Sequence, residues 1–236
     1  MRHKPAIVAL NDRIIRCDRC PRLRTHCREV SATKTARYLD QTYWGKPVPN
    51  LLPPVPAEAK RAGLLIVGLA PGAHGANRTG RMFTGDRSGD FLFTAMHRAG
   101  LCNRPCSTGV GDGLELIDTV VTSAAHCAPP GNRPTGGELA KCSGYLEATF
   151  KALPGLKVVL SLGRIAHRSV LGLYRQWGLI DRLNRYRFAH GAEFGIDGGP
   201  DLLCSYHPSQ QNTFTGRLTP DGLLAVLERA KERAVG

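Results

Sequence analysis

Four short stretches of the chain are apolar almost without interruption: Leu64–Leu69, Ile117–Thr122, Val158–Leu162 and Leu202–Tyr206. They are rich in β-branched residues and do not alternate apolar with polar. A strand of this kind is covered on both faces, the situation of a parallel sheet between helices. Helical periodicity fills the gaps, over Ser88–Ala99, Gly137–Ala152, Ile165–Leu173 and Pro220–Ala234. Strand and helix taking turns predict an α/β sandwich built on a parallel sheet.

The segment Leu39–Pro56 carries five prolines and reads as an extended connection. Residues 1–38 precede the sheet and are expected to pack against its edge as helix and loop. The whole chain, 236 residues, suits a single domain, with residues 1–56 as an N-terminal segment laid on the α/β core. No run of 18 apolar residues is present, so no membrane span is expected. The opening residues are too charged for a signal peptide, which points to the cytoplasm.

Charge narrows the class of partner. The net charge is +13, and residues 1–37 alone hold ten Lys+Arg against three Asp+Glu. Such an excess favours a polyanion, most simply nucleic acid. Eight cysteines are many for a cytoplasmic chain, where disulfides are disfavoured, and they point to metal or cluster binding.

In open α/β sheets ligands bind beyond the carboxyl ends of the strands. Three strands run there into polar loops: "APGAHGANRTG", "SAAHCAPPGNRP" and "HPSQQNTFTGR". The first is suited to anions by its backbone N–H groups, but it has neither G-K-[ST] nor G-x-G-x-x-G. Cys17 and Cys20 form C-x2-C, and Cys127 and Cys142 form C-x14-C. Four thiolates suit a [4Fe–4S] cluster or a tetrahedral zinc, and spacing alone does not choose between them. Cys27 is a competing ligand for Cys20; Cys102 and Cys106 read as incidental loop thiols, and Cys204 as a small buried residue. His207, at the end of the fourth strand, is either a structural cap or a catalytic group.

Together the loops give the chain a resemblance to the uracil-DNA glycosylase superfamily, most closely its family five, in the iron–sulfur branch. "GLAPGAHGANRTGRMFTGD" looks like the first family motif, "HPSQQNTFTGRLT" like the second, and "HCAPPGNRPTGGELAKC" like the cysteine segment. The resemblance implies a three-layer α/β/α sandwich with a central four-stranded parallel sheet. It implies a structural [4Fe–4S] cluster on Cys17, Cys20, Cys127 and Cys142. It also implies a monomeric, monofunctional DNA repair glycosylase, cytoplasmic and associated with the nucleoid through DNA. Its substrate would be DNA containing uracil or other damaged bases, with hypoxanthine and ethenocytosine in the family's range.

Residue by residue, His207 is similar to the histidine that stabilises the departing base, and Phe83 to the ring on which the flipped base stacks. Gly68 and Ala70 let the base approach the backbone. Ser123 stands where strict uracil readers carry Asn. Ala70 also stands where other branches carry Asp or Asn, so the water must be positioned elsewhere. Asn77 is the first candidate for that, with His74 and Asp86 behind it. Gln210, Gln211 and Asn212 belong to the DNA-inserting loop and would fill the gap left by the flipped base, and Arg217, Ser209, Arg78 and Arg81 are candidate phosphate contacts. The alternative reading, kept open by Ala70, is an iron–sulfur protein that binds damaged DNA with little or no turnover.

Overall fold

The structure, a computed structural model, describes residues 5–235. Five strands form one sheet: β1 (Leu64–Gly68), β2 (Thr119–Ser123), β3 (Val158–Leu162), β4 (Glu193–Phe194) and β5 (Asp201–Ser205). Their order is β2-β1-β3-β5-β4. The first four in that order are mutually parallel, with Leu64 opposite both Thr119 and Val158. All five residues of β1, β2 and β3 are buried, which is why these segments show no alternation. The expected count of four strands is corrected to five. The addition, β4, pairs antiparallel with β5 through two residues, too few to leave a pattern in the sequence. β2 also begins later than expected, because Ile117 is solvent-exposed and Asp118 turns the chain at φ +46°.

Among the described residues, eight α-helices accompany the sheet: α1 (Ala6–Ile15), α2 (Pro21–Thr33), α3 (Ala76–Thr79), α4 (Arg87–Arg98), α5 (Gly136–Lys151), α6 (Arg164–Gln176), α7 (Gln210–Phe214) and α8 (Pro220–Val235). Successive strand residues face opposite ways. In β1, Leu64 and Ile66 therefore join a core under α4 and α8. Leu65 and Val67 join another under α1, α5 and α6.

The N-terminal segment lies elsewhere than expected. α1 packs Ile7, Leu10 and Ile14 into the core of the α5 face, not against the sheet's edge. The edge is covered instead by the proline-rich connection, where Leu51 bridges antiparallel to Val121 of β2. Asn50 fastens it: its Nδ2 donates to Thr149 Oγ1 at 3.1 Å, and its Oδ1 accepts from Thr122 Oγ1 at 2.6 Å. α2 is tied to α5 by a two-pronged bond from Arg22 to Glu138, 2.8 Å to each oxygen. No described helix is long and apolar enough to cross a membrane.

Candidate functional site

The three polar loops meet, as the parallel topology requires, around a cavity of about 140 Å³ at the carboxyl ends of the strands. The loop after β1 contributes Ala70, Phe83 and Asp86 to its walls, the loop after β2 Asn132, and the segment after β5 His207 and Ser209; Ser123 closes the end of β2. At about 30 Å³ per liquid water, this is space for one flat ring rather than a large ligand. A wider groove of about 420 Å³ between α5 and α6 has Leu139, Leu146 and Leu173 in its walls and no carboxylate or imidazole. Chemistry, not size, selects the smaller cavity.

Phe83 is held under constraint. Its backbone is left-handed, φ +51°, a conformation that costs a non-glycine residue free energy and that clusters at functional sites. The ring lies directly on Gly68, where a Cβ would stand 2.7 Å from Phe83 Cζ, so no larger residue fits beneath it. The ring of His207 faces it, with centroids 5.9 Å apart and planes 30° apart. Burial pushes the His207 imidazole down to about 4, so it is neutral at physiological pH. Gly163, at φ +94°, opens α6 against this histidine, and a Cβ there would come within 3.2 Å of His207 Cβ.

Asp86 has two tasks. Its Oδ1 accepts from Gly89 N at 3.0 Å and caps α4. Its Oδ2 faces Gly72 and Gly75 across the loop. Burial raises the pKa of this carboxyl above the usual aspartate range, against opposing hydrogen bonds from the Gly89 and Ser88 backbone. It is the carboxylate in the cavity wall. Ser123 lines the wall too, but its hydroxyl donates to Ala125 O at 2.7 Å, which leaves only lone pairs for a ligand.

Several expected site residues lie outside the cavity. Asn77 is fully buried behind the loop, and its Nδ2 reaches Ala73 O at 3.3 Å and Cys27 O at 3.4 Å. It is not placed to orient a water in the cavity. Arg78 is buried as a staple, donating to His74 O at 2.7 Å and Gly85 O at 2.8 Å, with its guanidinium over the Tyr38 ring. Arg81 pairs with Asp112 at 2.6 Å and donates to Leu114 O at 2.7 Å. These two arginines shape the loop and are not free to meet a phosphate. His74 is engaged by the Tyr43 hydroxyl at 3.0 Å. Asn212 donates to His207 O at 2.8 Å and so braces the histidine instead of projecting into DNA. Gln210, Gln211 and Arg217 are exposed on the same segment.

One lining residue escaped the sequence reading. Asn132 turns at φ +56° within "PPGNRP" and brings an amide to the rim. The usable signal was an Asn in a proline- and glycine-rich turn, a setting that tolerates the left-handed conformation.

The cysteines lie outside this cavity. Among the described residues, no three His, Cys, Asp or Glu side chains are gathered closely enough to hold one metal ion. Cys20, Cys27 and Cys127 share a buried cluster with Leu23. Cys142 neighbours Cys127, Cys17 and Cys20, so the four expected ligands lie in one region. Burial pushes the Cys142 thiol up to about 11. Cations stand close by: Arg19 Nε is 3.5 Å from Cys17 Sγ, and Lys141 Nζ donates to Arg19 O. Four thiols with cations beside them suit an anionic thiolate-bound cluster. Cys27 Sγ donates to Ala128 O at 3.6 Å. Cys204 is buried in β5, its thiol 3.2 Å from His167 Nδ1.

Comparison with known proteins finds relatives over nearly the whole chain. The Uracil DNA glycosylase superfamily profile matches residues 56–231. A protein of Mycobacterium leprae named Type-5 uracil-DNA glycosylase is 46% identical over 230 residues, covering 97% of this chain and 96% of its own. Proteins of the same name from Thermus thermophilus and Pyrobaculum aerophilum are 45% and 42% identical, covering 92% and 93% of this chain and 94% and 89% of their own. With the match extending over both site loops and the sheet between them, the chain belongs to the uracil-DNA glycosylase superfamily.

Proposed function

We propose that the protein hydrolyses the N-glycosidic bond of uracil in DNA, and of other deaminated or damaged bases such as hypoxanthine and ethenocytosine, leaving an abasic site. The observation that carries this reading is the pairing of Phe83 with a neutral His207 around a cavity that also holds the Asp86 carboxylate. A base buried in a duplex must be extruded to be reached, and a ring-sized slot with an aromatic wall suits a flipped base. Phe83 stacks on it. As the C1′–N bond breaks, negative charge grows on the base, and the His207 N–H donates to its carbonyl oxygen. Donors aimed at developing charge in a closed site are commonly the largest catalytic contribution. Asp86 replaces Asn77 in the water role. Its carboxylate orients a water toward C1′ and accepts the proton as the new C1′–O bond forms. Asn132 offers an amide to the base edge. Ser123, its hydrogen already committed, imposes no donor on the ligand, which fits a tolerant pocket. All these groups come from one chain, so a monomer has a complete site, and the basic chain meets DNA in the cytoplasm.

Cys17, Cys20, Cys127 and Cys142 would hold a [4Fe–4S] cluster. Bound there, it would supply a structural tie between the α2 segment and the loop after β2. Cys142→Ser should lower iron and acid-labile sulfide in the purified protein and reduce its thermal stability; native protein carrying zinc, or neither element, would reject the cluster.

The function is tested with labelled duplexes holding a single uracil, hypoxanthine or ethenocytosine, incubated with protein and then cleaved at abasic sites by alkali. Strand breaks are expected, strongest for uracil. Tight binding without breaks on any duplex would establish the non-catalytic alternative that Ala70 keeps in play.

A further inference from the structure

Residues 164–187 hold six arginines, Arg164, Arg168, Arg175, Arg182, Arg185 and Arg187, against one carboxylate, Asp181. Arg182 and Arg185 each stand 3.8 Å from that carboxylate, too far for a hydrogen bond. Arg164, Arg168 and Arg187 are exposed, and their guanidinium groups have no ion pair or hydrogen bond among the described residues. These three border a groove of about 570 Å³ between α6 and the segment 183–188. Its floor is apolar and aromatic: Leu171 is buried, and Tyr186 and Phe188 are half-buried. No carboxylate lines it.

Both walls of the groove reach His207. Arg164 opens α6 directly after Gly163, where a Cβ would come within 3.2 Å of His207 Cβ. Opposite, the Phe188 ring lies against Tyr206, the residue before His207, with centroids 6.0 Å apart. The walls are also tied to each other. His167 of α6 donates from Nε2 to Tyr186 O at 2.7 Å, and its Nδ1 accepts from the Cys204 thiol at 3.2 Å. The groove is thus a fixed continuation of the cavity's surroundings.

Three unpaired guanidinium groups around one groove repel each other and favour a polyanion. The floor narrows the choice. A duplex turns its bases inward and would leave Tyr186 and Phe188 uncovered. Unpaired nucleotides offer phosphates to the arginines and base faces to the rings, in any sequence. An acidic peptide would satisfy the arginines, but its chemistry gives no reason for a groove that begins beside the cavity. We propose that this groove takes the unpaired nucleotides next to the target base, and so gives the protein a grip on lesions whose flanking strand is single. This rests on the reading that the substrate is DNA.

The double variant Arg168→Glu/Arg187→Glu tests it, with fluorescence anisotropy on one uracil-containing oligonucleotide, single-stranded and fully paired. Both arginines are exposed, so the variant should keep the wild-type melting temperature. It should bind the single strand at least about tenfold more weakly, and the slope of log K against log salt should flatten by about 1.4, the share of two phosphates. Duplex binding should change much less. Arg168→Lys/Arg187→Lys should stay close to wild type, because each phosphate contact survives as a point charge. Phe188→Leu keeps the floor apolar but removes a ring, and should weaken the single strand about fivefold or more, the worth of one stacked base. Equal loss on single strand and duplex, or no loss on either, would overturn the proposal. So would an acidic peptide that competes with the labelled single strand better than an unlabelled strand of equal charge; the groove would then belong to a polypeptide. Wild-type protein that grips the single strand through these residues yet releases no uracil would uphold the groove and sink the functional reading, so the two failures are distinguishable.

Discussion

His207→Ala should slow base release about 100- to 1,000-fold, the usual loss when one donor to a developing anion is removed. Binding of uracil DNA should change far less, because the ring acts on charge that appears only as the bond breaks. The same variant carries a second signature of opposite sign. The unfolded imidazole takes up a proton near 6.5, while burial keeps the folded one neutral down to about 4. In that window the unfolded state binds more protons, so the contribution of His207 to stability falls as pH falls from about 6.5 to about 4. The alanine variant lacks this penalty. Its melting temperature should drop less than that of wild type between neutral pH and about pH 5. His126, buried and pushed down to about 4 in the same way, remains in both proteins and leaves some acid sensitivity. A variant that keeps wild-type turnover would remove His207 from the mechanism, and an unchanged acid slope would contradict a neutral, buried ring.

Asp86→Asn should cost about 100- to 10,000-fold in the rate of base release, the range for a positioned proton acceptor. The substitution is chosen because Asn also caps helices well. The bond from Gly89 N that Asp86 Oδ1 now accepts can be kept, so α4 and the fold should survive. Melting temperature and DNA affinity near wild type, with chemistry lost, would locate the water beside this carboxylate. The pH profile adds a check. Burial raises the carboxyl's pKa, so the wild-type rate should fall on the acid side through a value above the ordinary 3.8. The part of that limb that belongs to Asp86 should vanish with the carboxylate, while the protonation of His207 at about 4 remains. Activity within tenfold of wild type would return the water to another group.

The core of the fold was legible because its signal is local. An uninterrupted apolar run such as "LLIVG" records burial on both faces, and parallel strands force their carboxyl ends, and the loops carrying Phe83 and His207, to one edge. β4 was not legible, since two residues hold no period. The side chains of the site divide along the same line. A small residue under a ring, Gly68 beneath Phe83, leaves its mark in the motif itself. The partner of a long polar side chain does not. Arg81 finds Asp112, 31 residues away, and Arg78 finds Gln41, 37 residues away, so two arginines in a loop shaped for anions are spent on holding that loop. Asn77 and Asp86 lie nine positions apart in one segment of similar polarity. The short α3 turns the first into the interior, and the start of α4 presents the second to the cavity. Residue type and spacing state which groups can donate, accept or stack. Which of them face a ligand depends on what distant segments have already satisfied, and that is settled only when the chain closes on itself.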